Sequence, residues 1–227
     1  RETANHLWGN EASVLVGDFL YSRAFEMMVE AESLPVMAVM ARATNTIAEG
    51  EVMQLLNVHD PDTTEERYMY VIGCKTATLF EAAVDVGSLV AGLAAAPRQQ
   101  LKGFGRDLGI AFQLVDDVLD YAGDAGLTGK QVGDDLAEGK PTMPLIHALR
   151  HAPEGDAALI REAIEEGGRE HADTIIRIVE SVGSIAYTRN LAKEAAARAT
   201  ESLRVLPDSP YRRAMERLAH FSVDRVS

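Results

Sequence analysis

Apolar positions recur at helical spacing along nearly the whole chain, and strand-like alternation bounded by turn residues is essentially missing. The pattern predicts a first helix from about Ala12 to Ala31, with Val14, Leu15, Phe19, Leu20, Ala24, Phe25 and Met28 on its apolar side. Pro35 opens a second, which runs to about Leu56. The turn "HDPDTTEE" follows, and Thr63 with Glu66 has the spacing of a capping box. A third helix is expected to run to about Ala96. Its small residues, among them Gly73, Ala77, Ala82 and Gly87, suit close contact with a neighbouring helix. Pro97 reads as its break, and a fourth helix carries "AFQLVDDVLDYAG" to about Tyr121. Residues 122–140 hold five glycines among charged residues and read as a flexible loop. Shorter helices continue from Pro144, with breaks at "EEGGRE" and "VLPDSP". No Pro- or Ser-rich linker and no internal repeat divides the chain. The expectation is a single all-α domain over residues 1–227, larger than a four-helix bundle.

Composition narrows the partners. A formal net charge of -13, with no Lys/Arg-rich run to offset it, argues against nucleic acid. It does not argue against phosphates, which an acidic protein can bind through a bridging cation. Cys74 is the single cysteine, so an intramolecular disulfide is impossible and a reducing, cytoplasmic compartment is expected. The stretch "GSLVAGLAAAP" is too short for a membrane span, and "RETANHLWGN" lacks the apolar region of a signal peptide.

The chemistry concentrates in "AFQLVDDVLDYAG". On a helical wheel with Asp116 at the origin, Gly109 falls at about 20°, Asp120 at about 40°, Gln113 at about 60° and Asp117 at about 100°. The remaining arc is apolar. At an effective dielectric near 20, carboxylates one turn apart repel by roughly 3 kcal/mol per pair. No Lys or Arg lies in the run to relieve this. Either the stripe faces bulk water or a cation comes in. Oxygen-only ligands select a hard ion, Mg²⁺ or Mn²⁺, since zinc would want His or Cys. Mg²⁺ typically shares its shell with a substrate phosphate, and that predicts basic residues nearby.

Candidates stand in "GDAGLTGKQVGDDLAEGKPT", which offers Lys130 and Lys140, and in "CKTATLFEAA", which offers Lys75 beside Thr76. Neither Gly-Lys pair completes a Walker A loop. Solvated lysines are the plain alternative for each.

Together, "KTATLFEAA", "FQLVDDVLDY" and "GKQVGDDLAEGKPTMPLI" resemble the trans-polyprenyl diphosphate synthases. The likeness extends through "ANHLWGNEASVLVGDFLYSRAF", "NTIAEGEVMQL" and "VLPDSPYRRAMERLAHF", and is closest to the long-chain, octaprenyl-like branch. It implies an isoprenoid synthase-type helical bundle around a central cavity, usually in a homodimer. It also implies Mg²⁺-dependent condensation of isopentenyl diphosphate onto an allylic diphosphate, plausibly for quinone side chains. By position, Asp116, Asp117 and Asp120 match metal-binding aspartates. Lys75, Lys130 and Lys140 match lysines on the allylic diphosphate, and Thr76 and Gln113 match residues beside the reacting carbon. The family's first Asp-rich motif and its paired arginines are not in this sequence. The expectation is that they belong upstream of Arg1, that roughly the first quarter to third of a family member is missing, and that the fragment alone is inactive.

Other residues have plainer readings. Asp18 is expected to be a partnered structural carboxylate, and Glu49 and Glu51 to be solvated. His147 and His151 read as surface histidines, and Met27, Met28, Met37 and Met40 with Phe19 and Phe25 as ordinary core. Three alternatives stay open: a shorter-chain synthase, a class I terpene cyclase and a non-catalytic synthase-like subunit.

Overall fold

Residues 3–122 and 133–224 are described by the structure, a computed structural model. Among them the backbone is helix and turn, without a strand. Two compact units divide the chain, Arg1–Arg42 and Ala43–Ser227.

The first unit holds α1 (Ala4–Glu30) and the opening of α2 (Leu34–Asn57). The Thr3 hydroxyl caps α1 by accepting from the His6 N–H, and Gly9 interrupts it with a left-handed φ of 81°. This helix starts earlier than its apolar periodicity suggests, and it buries none of its side chains. Phe19 and Met27, expected in the core, are 67% and 60% exposed. Asp18 is exposed as well, and the structure shows no buried partner role for it. The physical reason is that α1 is apolar around much of its circumference, so its pattern marks a surface that wants cover without naming what supplies it.

In the second unit, α2 is followed by α3 (Glu65–Ile72), a π-helical turn (Gly73–Ala77) and α4 (Thr78–Val90). The N-cap of α3 is Thr64, whose hydroxyl accepts from the Arg67 N–H; the expected cap on Thr63 moves by one residue, and with Arg67 at N3 the reciprocal half of a capping box is not formed. The third helix of the sequence reading is therefore two helices joined by a π turn, and it stops at Val90, not Ala96. Gly92, at φ +68°, turns the chain. Pro97 lies within the first turn of α5 (Ala95–Ala122), where its missing N–H costs nothing.

Helix α5 runs through three apolar clusters. Ile110, Ala111, Leu114 and Val115 meet Met143, Ile146 and the alanines Ala192, Ala195 and Ala196. Tyr121 joins Leu145, Ile160, Ile164, Ile175 and Val179, while Leu101, Phe104 and Leu108 pack with Ala199, Leu203 and Ala219. The surrounding helices are α6 (Asp134–Ala137), α7 (Met143–His151), α8 (Glu154–Glu166), α9 (Ala172–Ser181), α10 (Ser184–Ser202) and α11 (Pro210–Asp224), with a 3₁₀ turn at Leu203–Val205. A Cβ on Gly109 would lie 2.6 Å from the Ala77 Cα, so glycine is what lets α5 press against the end of the π turn. That contact also removes Gly109 from the open polar face on which the wheel placed it.

Candidate active site

A cavity of about 570 Å³ opens within the second unit. Its walls come from the end of α2, α3, the π turn, the polar side of α5 and the segment from α6 to Thr142. Lys75, Thr76, Gln113, Asp116, Asp117, Asp120 and Lys140 all line it. Lys130 lies outside the described residues.

The three aspartates have three different situations. Asp116 is half-buried and borders the cavity. Asp117 is 2% exposed and turned inward: the Tyr68 hydroxyl donates to its Oδ2, and Gln113 Nε2 donates to its Oδ1 at 2.8 Å. Burial, aided by the nearby Asp135 charge, pushes the Asp117 carboxyl up to about 7 despite those two donors. Asp120 holds the returning chain. Its two oxygens accept from the N–H groups of Asp134 and Asp135, each at 3.1 Å, and its own carbonyl accepts from Gly133 N–H at 2.8 Å. Burial, with Asp135 again adding repulsion, raises its carboxyl to about 6. The single stripe of the wheel is thus a cavity acid, a buried acceptor and a cap.

Lysines reach the same space from two sides. Lys75 Nζ donates to Gln54 Oε1 at 2.5 Å and pairs with Glu51 at 2.9 Å. Glu51, expected to be merely solvated, therefore fixes a cavity cation while staying half exposed. Lys140 pairs with Glu138 and lies 3.7 Å from Asp135. Beside Lys75, the Thr76 hydroxyl donates to Gln113 Oε1 at 2.9 Å. A continuous chain results, from Thr76 through Gln113 and Asp117 to the buried Tyr68. Because Thr76 spends its proton on Gln113, its oxygen has lone pairs to offer elsewhere.

Sequence reasoning overlooked Gln54 and Tyr68. Tyr68 had a signal of a kind, since a tyrosine buried in a core needs a partner for its hydroxyl. Gln54 had none, because its role depends on how α2 lies along the π turn. The histidine pair is a structural feature: the rings of His147 and His151 stack at 4.0 Å, and His147 Nδ1 meets Ser184 Oγ at 2.9 Å.

Among the described residues, six carboxylates face this cavity with two lysines and no His or Cys, a donor set for a hard dication. No three described His, Cys, Asp or Glu side chains converge closely enough to hold an ion by themselves. That fits a cation which takes one or two carboxylates and completes its shell with waters and a phosphate ligand.

Comparison with known proteins agrees with this chemistry. The polyprenyl synthetase family profile matches residues 1–182, across both compact units. Octaprenyl diphosphate synthase of Haemophilus influenzae is 54% identical over 226 residues, 99% of this chain and 69% of the relative. That of Escherichia coli is 52% identical over 226 residues, 99% of this chain and 70% of the relative. Among solved structures, a Caulobacter crescentus polyprenyl synthase complexed with calcium and isoprenyl diphosphate superposes with a TM-score of 0.94 at 40% identity, covering 99% of this chain and 69% of that one. A Rhodobacter capsulatus decaprenyl diphosphate synthase gives 0.91 at 41% identity, covering 100% and 70%. An acid-lined cavity with lysines on facing walls, inside an all-helical frame that these enzymes share, leads to one assignment: this chain belongs to the polyprenyl synthetase family.

Proposed function

We propose that the protein is a long-chain prenyltransferase that extends an allylic diphosphate with isopentenyl diphosphate to an octaprenyl-like all-trans product, a quinone side-chain precursor. The reading is carried by one observation. The α5 aspartates and the two lysines line one cavity, in a chain more than half identical to octaprenyl diphosphate synthases. In the reaction, the allylic C–O bond breaks with its electrons leaving on diphosphate. The isopentenyl double bond then attacks the allylic carbon, and loss of a proton restores the alkene.

The residues divide that work. Lys75 and Lys140 hold diphosphate oxygens, and Lys130 is assigned the same role by position in the sequence. Thr76 and Gln113 stand at the reacting carbon, with the Thr76 oxygen directed by its bond to Gln113. Asp116 is the carboxylate that would hold a divalent cation, Mg²⁺ in this reading with Mn²⁺ as substitute, while Asp117 and Asp120 shape the site behind it. Bound Mg²⁺ supplies charge neutralisation for the departing diphosphate. A homodimer and a single functional domain over residues 1–227 belong to the same proposal. The exposed apolar α1 supports the first, and a family match over residues 1–182 that passes from the first unit into the second supports the second. A cytoplasmic location is supported by the lone Cys74.

The test is a product analysis. Full-length protein is incubated with farnesyl and isopentenyl diphosphates and Mg²⁺, and the products are weighed by mass spectrometry. A product of about eight isoprene units is expected. One shorter than about seven refutes the long-chain reading, and no elongation at all refutes the enzyme reading.

A further inference from the structure

His59 sits outside the cavity, on the loop that follows α2, and it is exposed at the surface. It nevertheless makes specific contacts with two segments, Gly139 just before Lys140 and the end of α8 at Ile164 and Gly167. Its backbone N–H donates to the Gly139 carbonyl at 2.8 Å. Its ring Nδ1 meets the Ile164 carbonyl at 3.0 Å, which requires the proton on that nitrogen. The ring edge lies directly over Gly139, where an added Cβ would be 2.3 Å from His59 Nδ1. The same edge borders Gly167, where a Cβ would be 3.1 Å from His59 Cε1.

All three residues hold backbone conformations that side chains resist, with φ of +63° at His59, +67° at Gly139 and +70° at Gly167. Two glycines with left-handed backbones flank the imidazole of a residue whose own backbone is left-handed. A solvated loop histidine would need none of this. The Gly168 N–H donates to the Ala137 carbonyl at 2.9 Å and closes the other side of the segment.

We propose that His59 is a positioning residue for the substrate diphosphate. It clasps Gly139 to the end of α8 and so fixes where Lys140 enters the cavity. The inference rests on the reading that Lys140 binds the allylic diphosphate. Holding the backbone one residue before a long, mobile lysine removes freedom that binding would otherwise have to freeze. Asparagine is the conservative replacement, because its side-chain amide puts a donor near the Nδ1 position and it tolerates a left-handed φ. Alanine keeps neither property.

The experiment measures equilibrium binding of an unreactive allylic thiolodiphosphate, in magnesium buffer, to the full-length protein. The variants are His59→Ala, His59→Asn, Lys140→Ala and the double variant His59→Ala/Lys140→Ala, each checked by thermal unfolding. His59→Ala is expected to weaken binding about ten-fold, and His59→Asn to recover it to within about three-fold of wild type. The double variant should bind no worse than Lys140→Ala alone, because His59 acts through that lysine. Steady-state kinetics should show the loss in KM for the allylic substrate, with kcat much less affected. Unchanged binding in His59→Ala while Lys140→Ala is impaired overturns the clasp but leaves the diphosphate reading standing. Additive losses in the double variant, or no recovery in His59→Asn, overturn it too. Wild-type binding by Lys140→Ala removes the underlying reading itself.

Discussion

At the scale of single residues, the α5 aspartates show how far a helical wheel reaches. It grouped Asp116, Asp117 and Asp120 with Gln113 and identified the repulsion, both from spacing alone. It could not separate the three, because their partners come from other parts of the chain: Tyr68 for Asp117, and the Asp134 and Asp135 amides for Asp120. Asp117 offers the clearest consequence. Its carboxyl is raised from 3.8 to about 7 in the folded protein, chiefly by burial. A raised folded-state value favours the protonated form, so the associated stability is complete below about pH 4 and is lost as pH rises through 7. In metal-free buffer, Asp117→Asn should therefore raise the unfolding temperature relative to wild type at pH 8, with the advantage smaller at pH 5 and gone by about pH 4. The same change should cost activity. Asparagine keeps an acceptor at only one of the two oxygen positions, so it cannot serve Tyr68 and Gln113 where they stand; the Gln113 amide turns over and the Thr76 hydroxyl loses its acceptor. Turnover about ten-fold lower or worse is expected at the pH where stability is gained. Equal stability differences at pH 5 and pH 8 would show that no buried charge is carried there.

Among the elements, α2 and α5 were the most legible. The α2 and α5 patterns repeat over several turns, and their ends were placed closely. The π turn at Gly73–Ala77 was invisible, since one additional residue in a helix leaves no compositional mark, yet it is the element that carries Lys75 and Thr76. Helix α6, four residues inside a glycine-rich loop, was unreadable for a different reason. So short a helix has little stability of its own. It forms where Asp120 receives its first amides, so a carboxylate in a remote helix does the work of a cap. Asp120→Asn tests this: asparagine keeps an acceptor for only one of the two amides and sets its own NH2 against the other N–H. Loss of about 1 kcal/mol is expected, in the range of ordinary cap substitutions. The Asp134 and Asp135 amides should exchange with solvent about five- to ten-fold faster, and the allylic diphosphate should bind more weakly as the Lys140 segment loosens. Unchanged exchange at those two amides would mean that α6 is held by something else.

For the whole molecule, the net charge, the lone cysteine and the all-helical pattern indicated the class, and the family came from the resemblance of its motifs to a known one. What remained hidden was the fate of α1, because a hydrophobic pattern reports that a surface seeks cover and not whether cover comes from within the chain. None of its side chains is buried, and Leu15, Phe19 and Leu20 are each at least 60% exposed. An exposed apolar surface of that extent marks an interaction site. A second copy of this chain is the partner the family reading supplies, and a two-fold arrangement lets one patch cover its own equivalent. The full-length protein should therefore sediment as a dimer at micromolar concentration. Leu15→Glu with Phe19→Glu should shift it toward monomer, since each copy then brings two new charges into the same contact. If α1 is instead closed by the protein's own chain, the double variant would unfold or aggregate without a monomer appearing. If it is free in solution, the variant would sediment as wild type. Only a folded, helical monomer with weakened activity agrees with α1 as the surface that joins two copies.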